Sequence, residues 1–157
     1  MGIRSFFAKP LASFTARQTK LWASKPVETQ QKVFEQLVVK AKTTAFGHDH
    51  DFLRIRTYED FKARVPIRDY EQLKPYFDRT ANGEANVLWP GKPLYLAKTS
   101  GTTSGAKYIP ITRDSIPNHI NGAKNALLSY IHETGNAKFV DGKLIFLSGS
   151  PVLDKKN

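Results

Sequence analysis

The chain has 157 residues, 40% of them hydrophobic, enough for one ordinary globular domain with a real core. Lysine and arginine number 24 against 14 acidic residues, a formal net charge of +10 that favours polyanionic partners such as nucleotides, nucleic acid or an acidic membrane surface. Cysteine is absent, which excludes disulfides, thiolate nucleophiles and Cys-ligated metal sites within these residues and fits a reducing, cytoplasmic setting.

Residues 3–23 carry Ile3, Phe6, Phe7, Leu11, Phe14 and Leu21 at near-helical spacing, with Pro10 expected to kink or divide the helix. The segment is basic and has no acid before Glu28, features shared by a mitochondrial transit peptide and an amphipathic helix of the fold; the second is the expectation. It lacks the continuous apolar stretch of a secretory signal and has Phe6 at the sixth position, where a myristoylation motif needs Ser or Thr. No apolar run approaches the roughly 18 residues of a membrane span.

Pro26 suits the first turn of a second helix, in which Phe34, Leu37, Val38 and Ala41 form one apolar stripe. Gly47 is the expected stop. Aromatic residues at helical spacing (Phe6, Phe7, Phe14, Trp22 and Phe34) are expected in the core or between helices. His48-Asp49-His50-Asp51 has metal-ligand residue types but no third ligand region, so a polar surface turn is expected. Thr57-Tyr58-Glu59-Asp60 resembles a capping box before a short helix that Pro66 ends. Asp69 then caps a helix through Leu73 and Phe77, with Pro75 inside it.

Near Ala81 the texture changes. "ANGEANVLWPGKP" reads as a connecting loop in which Trp89 has no assigned role. Leu94–Ala97 and Lys107–Thr112 read as strands, the second holding Pro110 and therefore an edge or a bulge. Thr112 or Asp114 is placed to cap a helix through Leu127, Leu128 and Ile131, ended by Gly135. Lys143–Leu147 is a further strand, and "SGSP" opens a turn. The division is thus a helical region over 1–80 and the start of an α/β domain over 81–157. A hairpin and one more strand do not make a covered sheet, so the remaining strands are expected in a longer protein or a partner chain.

Between the two strands lies a loop, residues 98–107, with the composition of a phosphate cradle. Gly101 and Gly105 let backbone approach a ligand, and consecutive N–H groups in such a turn form an anion-binding nest. Thr99, Ser100, Thr102, Thr103 and Ser104 supply hydroxyl donors, and Lys107 a mobile cation. A P-loop beginning at Gly101 fails twice: Ala106 stands where its second glycine belongs, and Tyr108 where its Ser or Thr belongs. "YIPIT" also follows, a strand pattern where a P-loop needs a helix.

"TSGTTSGAKYIPIT" instead resembles the phosphate loop of adenylate-forming enzymes, [ST]-S-G-[ST]-[ST]-x-G-x-x-K, which joins two strands. One residue, Ala106, separates the second glycine from the lysine where many members have two. More narrowly the chain is similar to the Gretchen Hagen family of auxin-responsive acyl-acid amido synthetases and their bacterial relatives. "QKVFEQLVVKAKTTAFGHDHDF", "YEDFKARVPIRDYEQLKPYFDR", "NVLWPGKPLYLAKTSGTTSGAKYIPIT" and "LIFLSGSP" fall in the order of such a protein's N-terminal region.

The resemblance implies an α/β fold in which N-terminal helices precede the first strands of an adenylate-forming domain. It also implies a two-step ligase using ATP and Mg2+. A carboxylic acid would attack the α-phosphorus of ATP, and an amine would then take the acyl group from the adenylate. By carry-over, Thr99, Ser100, Gly101, Thr102, Thr103, Ser104, Gly105 and Lys107 would surround the phosphates, with Lys107 the catalytic cation. Later family motifs (a Glu-bearing magnesium segment, a ribose-binding aspartate, a lysine in a mobile C-terminal domain) have no counterpart in 108–157. The chain is therefore expected to be an N-terminal piece of a bacterial-type member, inactive alone. Two other readings compete: a nucleotide-binding regulatory module without catalysis, and a basic nucleic-acid-binding module. The second finds its lysines spread around the helices and no recognised nucleic-acid motif, so neither nucleic acid nor membrane is expected as a partner.

Overall fold

The computed structural model describes residues 2–99, 107–143 and 145. They are mostly helical, with one antiparallel pair of strands. They fall into two compact units, one built from the residues up to Thr29 together with those from Pro117 onward, the other from Gln30–Ile116.

In the first unit, helix α1 (Ile3–Ala23) runs unbroken through Pro10. Its buried face is made of small residues. Ala12 packs with Leu128 and Ile131 of α6 (Ile116–Thr134) and with Ala137, while Ala8, Phe139 and Val140 close the margin. The aromatic stripe therefore points the other way: Phe6 is 63% exposed, Phe14 60% and Trp22 55%, and Phe7 and Leu21 are exposed as well. This corrects the expectation that those rings form core or helix contacts. The small face of α1 lies against Ala137 and the 3-10 turn over Lys138–Asp141, where the Ser5 amide donates to Asp141.

The start of α1 has no side-chain cap from Gly2. Asp141, in a 3-10 turn over Lys138–Asp141, supplies one instead, accepting from the amides of Gly2 at 2.9 Å and Ser5 at 3.0 Å. Hydrogen bonds from Ser5 and then Gly2 hold the Asp141 carboxyl below its ordinary value. Gly135, at φ +67, follows the last residue of α6 as expected, a conformation that glycine adopts without strain.

In the second unit, α2 (Pro26–Ala41) directs Phe34, Val38 and Ala41 inward. Gly47 does not stop it; the helix ends at Ala41, and Gly47 lies inside the short α3 (Ala45–Asp49). Its role is close approach, since a Cβ there would stand 2.2 Å from the Ala41 carbonyl oxygen. Thr44 is buried, and its hydroxyl caps α3 by accepting from the Gly47 amide at 3.0 Å.

The His-Asp-His-Asp stretch is only partly a surface turn. His48 and Asp49 are exposed, but His50 is buried, stacked on Phe46 at 4.0 Å, with Nδ1 donating to the Phe46 carbonyl at 2.8 Å. Among the described residues no group of three or more His, Asp or Glu is placed to hold a metal.

Thr57 and Asp60 form the expected capping box of α4 (Tyr58–Arg64). Asp69 and Gln72 form a second one on α5 (Tyr70–Ala81), which continues through Pro75. Rings interlock in this unit: Phe34 meets Phe61 at 5.7 Å, Phe52 meets Phe61 at 6.1 Å, and Phe46 meets Tyr76 at 5.1 Å. The segment after α5 is a loop, but an internal one. Val87 is 1% exposed, and the Asn86 and Val87 carbonyls accept from the Ala45 and Phe46 amides that begin α3.

Strand β1 (Tyr95–Lys98) pairs antiparallel with β2 (Tyr108–Ile111), Lys98 opposite Tyr108 and Leu96 opposite Pro110. Among the described residues β2 pairs with β1 alone, so Pro110 stands in an edge strand, where a missing N–H donor is tolerated. After β2, Thr112 and Ser115 cap one another: the Thr112 hydroxyl accepts from the Ser115 amide and the Ser115 hydroxyl from the Thr112 amide. Asp114 does not cap the helix; it is engaged elsewhere, as described below. The strand expected over Lys143–Leu147 and the turn at "SGSP" lie outside the described residues, Lys143 and Ile145 apart.

Candidate functional site

The candidate site is the end of the β1–β2 hairpin. Ser100, Gly101, Thr102, Thr103, Ser104 and Gly105 lie outside the described residues; Thr99 and Lys107, which flank them, are within. These two close the base of the connection. The Thr99 amide donates to the Lys107 carbonyl at 2.9 Å, and the Lys107 amide to the Thr99 hydroxyl at 3.3 Å. Lys98, paired with Tyr108, sits at the same end of the hairpin, so two cations flank the stretch. A strand follows Lys107 where a P-loop requires a helix.

Helix α5 supports this base. Tyr70, its first residue, is positioned by the Asp69 cap and stacked on Phe77 at 4.9 Å. The Lys107 ammonium lies 5.0 Å from the centre of the Tyr70 ring, within cation–π range. The Tyr70 hydroxyl accepts from the Tyr108 amide at 3.2 Å. Sequence reading singled out Lys107 but not Tyr70. Nothing local marks that residue, because its contacts are made with a strand far along the chain.

A second cluster holds the residues after β2. Lys40 of α2 pairs with Asp114 at 2.7 Å, Trp89 donates its ring N–H to the same carboxylate at 2.8 Å, and the ammonium lies 5.9 Å from the Trp89 ring centre. Lys40 foremost, then Trp89, holds the Asp114 carboxyl below its ordinary value. Trp89 is thus a tether between α2 and the segment that leaves the hairpin.

The first unit has a cavity of about 500 Å³ lined by Ser5, Lys9, Asn136, Lys138 and Asp141 among others. Its carboxylate is already committed to the α1 amides. Some of the basic residues are paired with carboxylates, as in Lys74–Asp78 and Arg79–Glu84.

The description "GH3 family N-terminal domain" matches residues 15–151, which includes the hairpin and both of its flanks. The chain belongs to the GH3 family. It is 38% identical over 80 residues to indole-3-acetic acid-amido synthetase GH3.15 of Arabidopsis thaliana, covering 49% of this chain and 13% of that protein. It is 43% identical over 58 residues to probable indole-3-acetic acid-amido synthetase GH3.13 of Oryza sativa subsp. japonica, covering 36% and 12%. A longer match, to indole-3-acetic acid-amido synthetase GH3.4 of Arabidopsis thaliana, is 26% identical over 126 residues and covers 74% and 21%. This GH3 chain therefore spans a small part of the length of the curated relatives it matches. No described helix is long and apolar enough to cross a membrane.

Proposed function

We propose that the protein carrying this GH3 domain is an ATP-dependent acyl-acid amido synthetase, and that residues 98–107 bind the phosphates of ATP. The observation that carries the reading is a closed hairpin base holding Lys107 beside a run of hydroxyls and glycines. The relatives' names, all amido synthetases, support amide formation as the overall reaction.

In the first step a carboxylate oxygen attacks the α-phosphorus and pyrophosphate leaves. An anion must approach a polyanion, and negative charge grows on the departing group. Backbone N–H groups and the hydroxyls of Thr99, Ser100, Thr102, Thr103 and Ser104 would donate to phosphate oxygens, while Gly101 and Gly105 permit close backbone approach. Lys107 would supply a cation where the charge accumulates. In the second step an amine nitrogen attacks the acyl carbon, AMP leaves, and the amine gives up a proton to yield the amide. ATP brings its own oxygen ligands for Mg2+, so the ion would enter on the nucleotide.

Carboxylate-dependent ATP–pyrophosphate exchange by the full protein tests the reading. Lys107→Ala is expected to lower exchange by roughly 100-fold, the scale of removing one charge-stabilising donor. Exchange near the wild-type rate in that variant would remove Lys107 from the mechanism. A protein that binds ATP but shows no exchange with any carboxylic acid would be a regulatory nucleotide-binding module instead.

A further inference from the structure

The Lys107 side chain is long and flexible, and an ammonium on four methylenes loses considerable rotamer entropy when it is held in one place. A cation used at a developing charge works best if that entropy is already lost before the substrate arrives. The structure supplies a device for this at the hairpin base. The Tyr70 ring presents its face to the Lys107 ammonium at 5.0 Å. The ring is itself held at two points, stacked on Phe77 at 4.9 Å and with its hydroxyl accepting from the amide of Tyr108, the residue after Lys107. One side chain from α5 thus holds both the backbone next to Lys107 and the end of its side chain.

We propose that Tyr70 is the positioning residue for Lys107, holding its ammonium in place for the nucleotide phosphates by cation–π contact and fixing the start of β2 through its hydroxyl. The proposal rests on the reading of residues 98–107 as the ATP phosphate site. Tyr70 does not touch substrate in this account; it acts through Lys107. Helix α5, read from sequence as part of a helical layer, becomes a support of the site.

Two variants separate its parts. Tyr70→Phe keeps the ring under the ammonium and loses the hydroxyl. Tyr70→Leu loses the ring as well. In carboxylate-dependent pyrophosphate exchange by the full protein, Tyr70→Leu is expected to raise KM for ATP or lower kcat by roughly 3- to 30-fold, the range of a cation–π contact. Tyr70→Phe should lower exchange by less than Tyr70→Leu does, by roughly 2- to 10-fold, as expected for loss of one neutral hydrogen bond.

In the Lys107→Ala background, Tyr70→Leu should add almost nothing, because the residue it positions is gone. A merely structural Tyr70 would lower exchange equally in both backgrounds, and that result overturns the proposal. So does wild-type exchange in Tyr70→Leu. Absence of exchange in the unsubstituted protein overturns the adenylation reading itself, and with it the role of Tyr70.

NMR of the 157-residue chain gives a readout independent of activity and of variant folding. The ε-methylene protons of Lys107 should be shifted upfield by the Tyr70 ring current; unshifted protons would overturn the contact.

Discussion

The two compact units handle their aromatic residues in opposite ways. In Gln30–Ile116, Phe34, Phe46, Phe52 and Phe61 turn inward and meet edge to face, and Phe52 is 6% exposed. In the other unit, α1 buries Ser5 and Ala12, half-buries Ala8, and leaves Phe6, Phe7, Phe14 and Trp22 outside. Helices α1 and α2 both carry apolar residues at helical spacing. Hydrophobic periodicity therefore locates a helix but does not say which face is buried when a small-residue face competes with a large one. Interior packing is close, and a face of small residues admits a neighbouring segment nearer than a face of rings does.

The units also differ in how helices are capped. The second unit uses local caps: Thr44 on α3, Thr57 on α4 and Asp69 on α5, each accepting from an amide three residues on. The first unit caps α1 with Asp141, from near the other end of the chain.

The sharpest test of the first contrast is a pair of truncations. Phe52→Ala is expected to destabilise the second unit by about 3–5 kcal/mol, the usual cost of deleting a buried ring. Phe14→Ala should change the stability of this chain by less than about 0.5 kcal/mol. Urea denaturation with amide hydrogen exchange reads both, and a large loss in Phe14→Ala would erase the distinction between the units.

A smaller effect separates the caps. Thr57→Ala should cost about 1 kcal/mol. Its signature should be local: faster hydrogen exchange at the start of α4, with α1 unchanged.

The smallest effect is expected with pH. The carboxyls of Asp141 in the first unit and of Asp60, Glu84 and Asp114 in the second are all held below their ordinary values by hydrogen-bond donors or cations. Each contributes stability that is fully present above the unfolded carboxyl pKa of about 4 and is lost as pH falls through the lower folded value. Acidification should therefore weaken both units. Asp141→Asn, which does not titrate, should remove the acid dependence of amide protection at the start of α1 while leaving that of α4 intact. Retained acid dependence at α1 would show that Asp141 is not its cap.

The legible part of the fold was the part carried by local chemistry. Thr57 and Asp69 mark helix starts because a cap and its amide are three residues apart. Gly135 marks a helix end because only glycine takes φ +67 without strain. The hairpin flanking 99–107 was legible from two short apolar runs around a Ser/Thr/Gly stretch. The stop assigned to Gly47 failed because its requirement is the nearness of the Ala41 carbonyl rather than a positive φ. His50 read as a surface residue because nothing adjacent reveals the Phe46 ring and carbonyl that hold it.

At the candidate site, Lys107 was singled out by its place after the glycines. Tyr70 was silent, and so was the tether of Trp89 to Asp114 and Lys40.

The sequence by itself determined the starts of α4 and α5, the end of α6, where the hairpin lies, the GH3 character of the chain and the chemical composition of the loop between its strands. These depend on interactions between residues a few positions apart, or on residue types read in order. The tertiary structure alone decided which face of α1 is buried, which carboxylate caps it, that Val87 of the connecting loop is core, and that α5 places an aromatic ring against Lys107. Those outcomes turn on which distant segments meet, and burial and long-range contact energies favour one pairing over others that a linear pattern leaves equivalent.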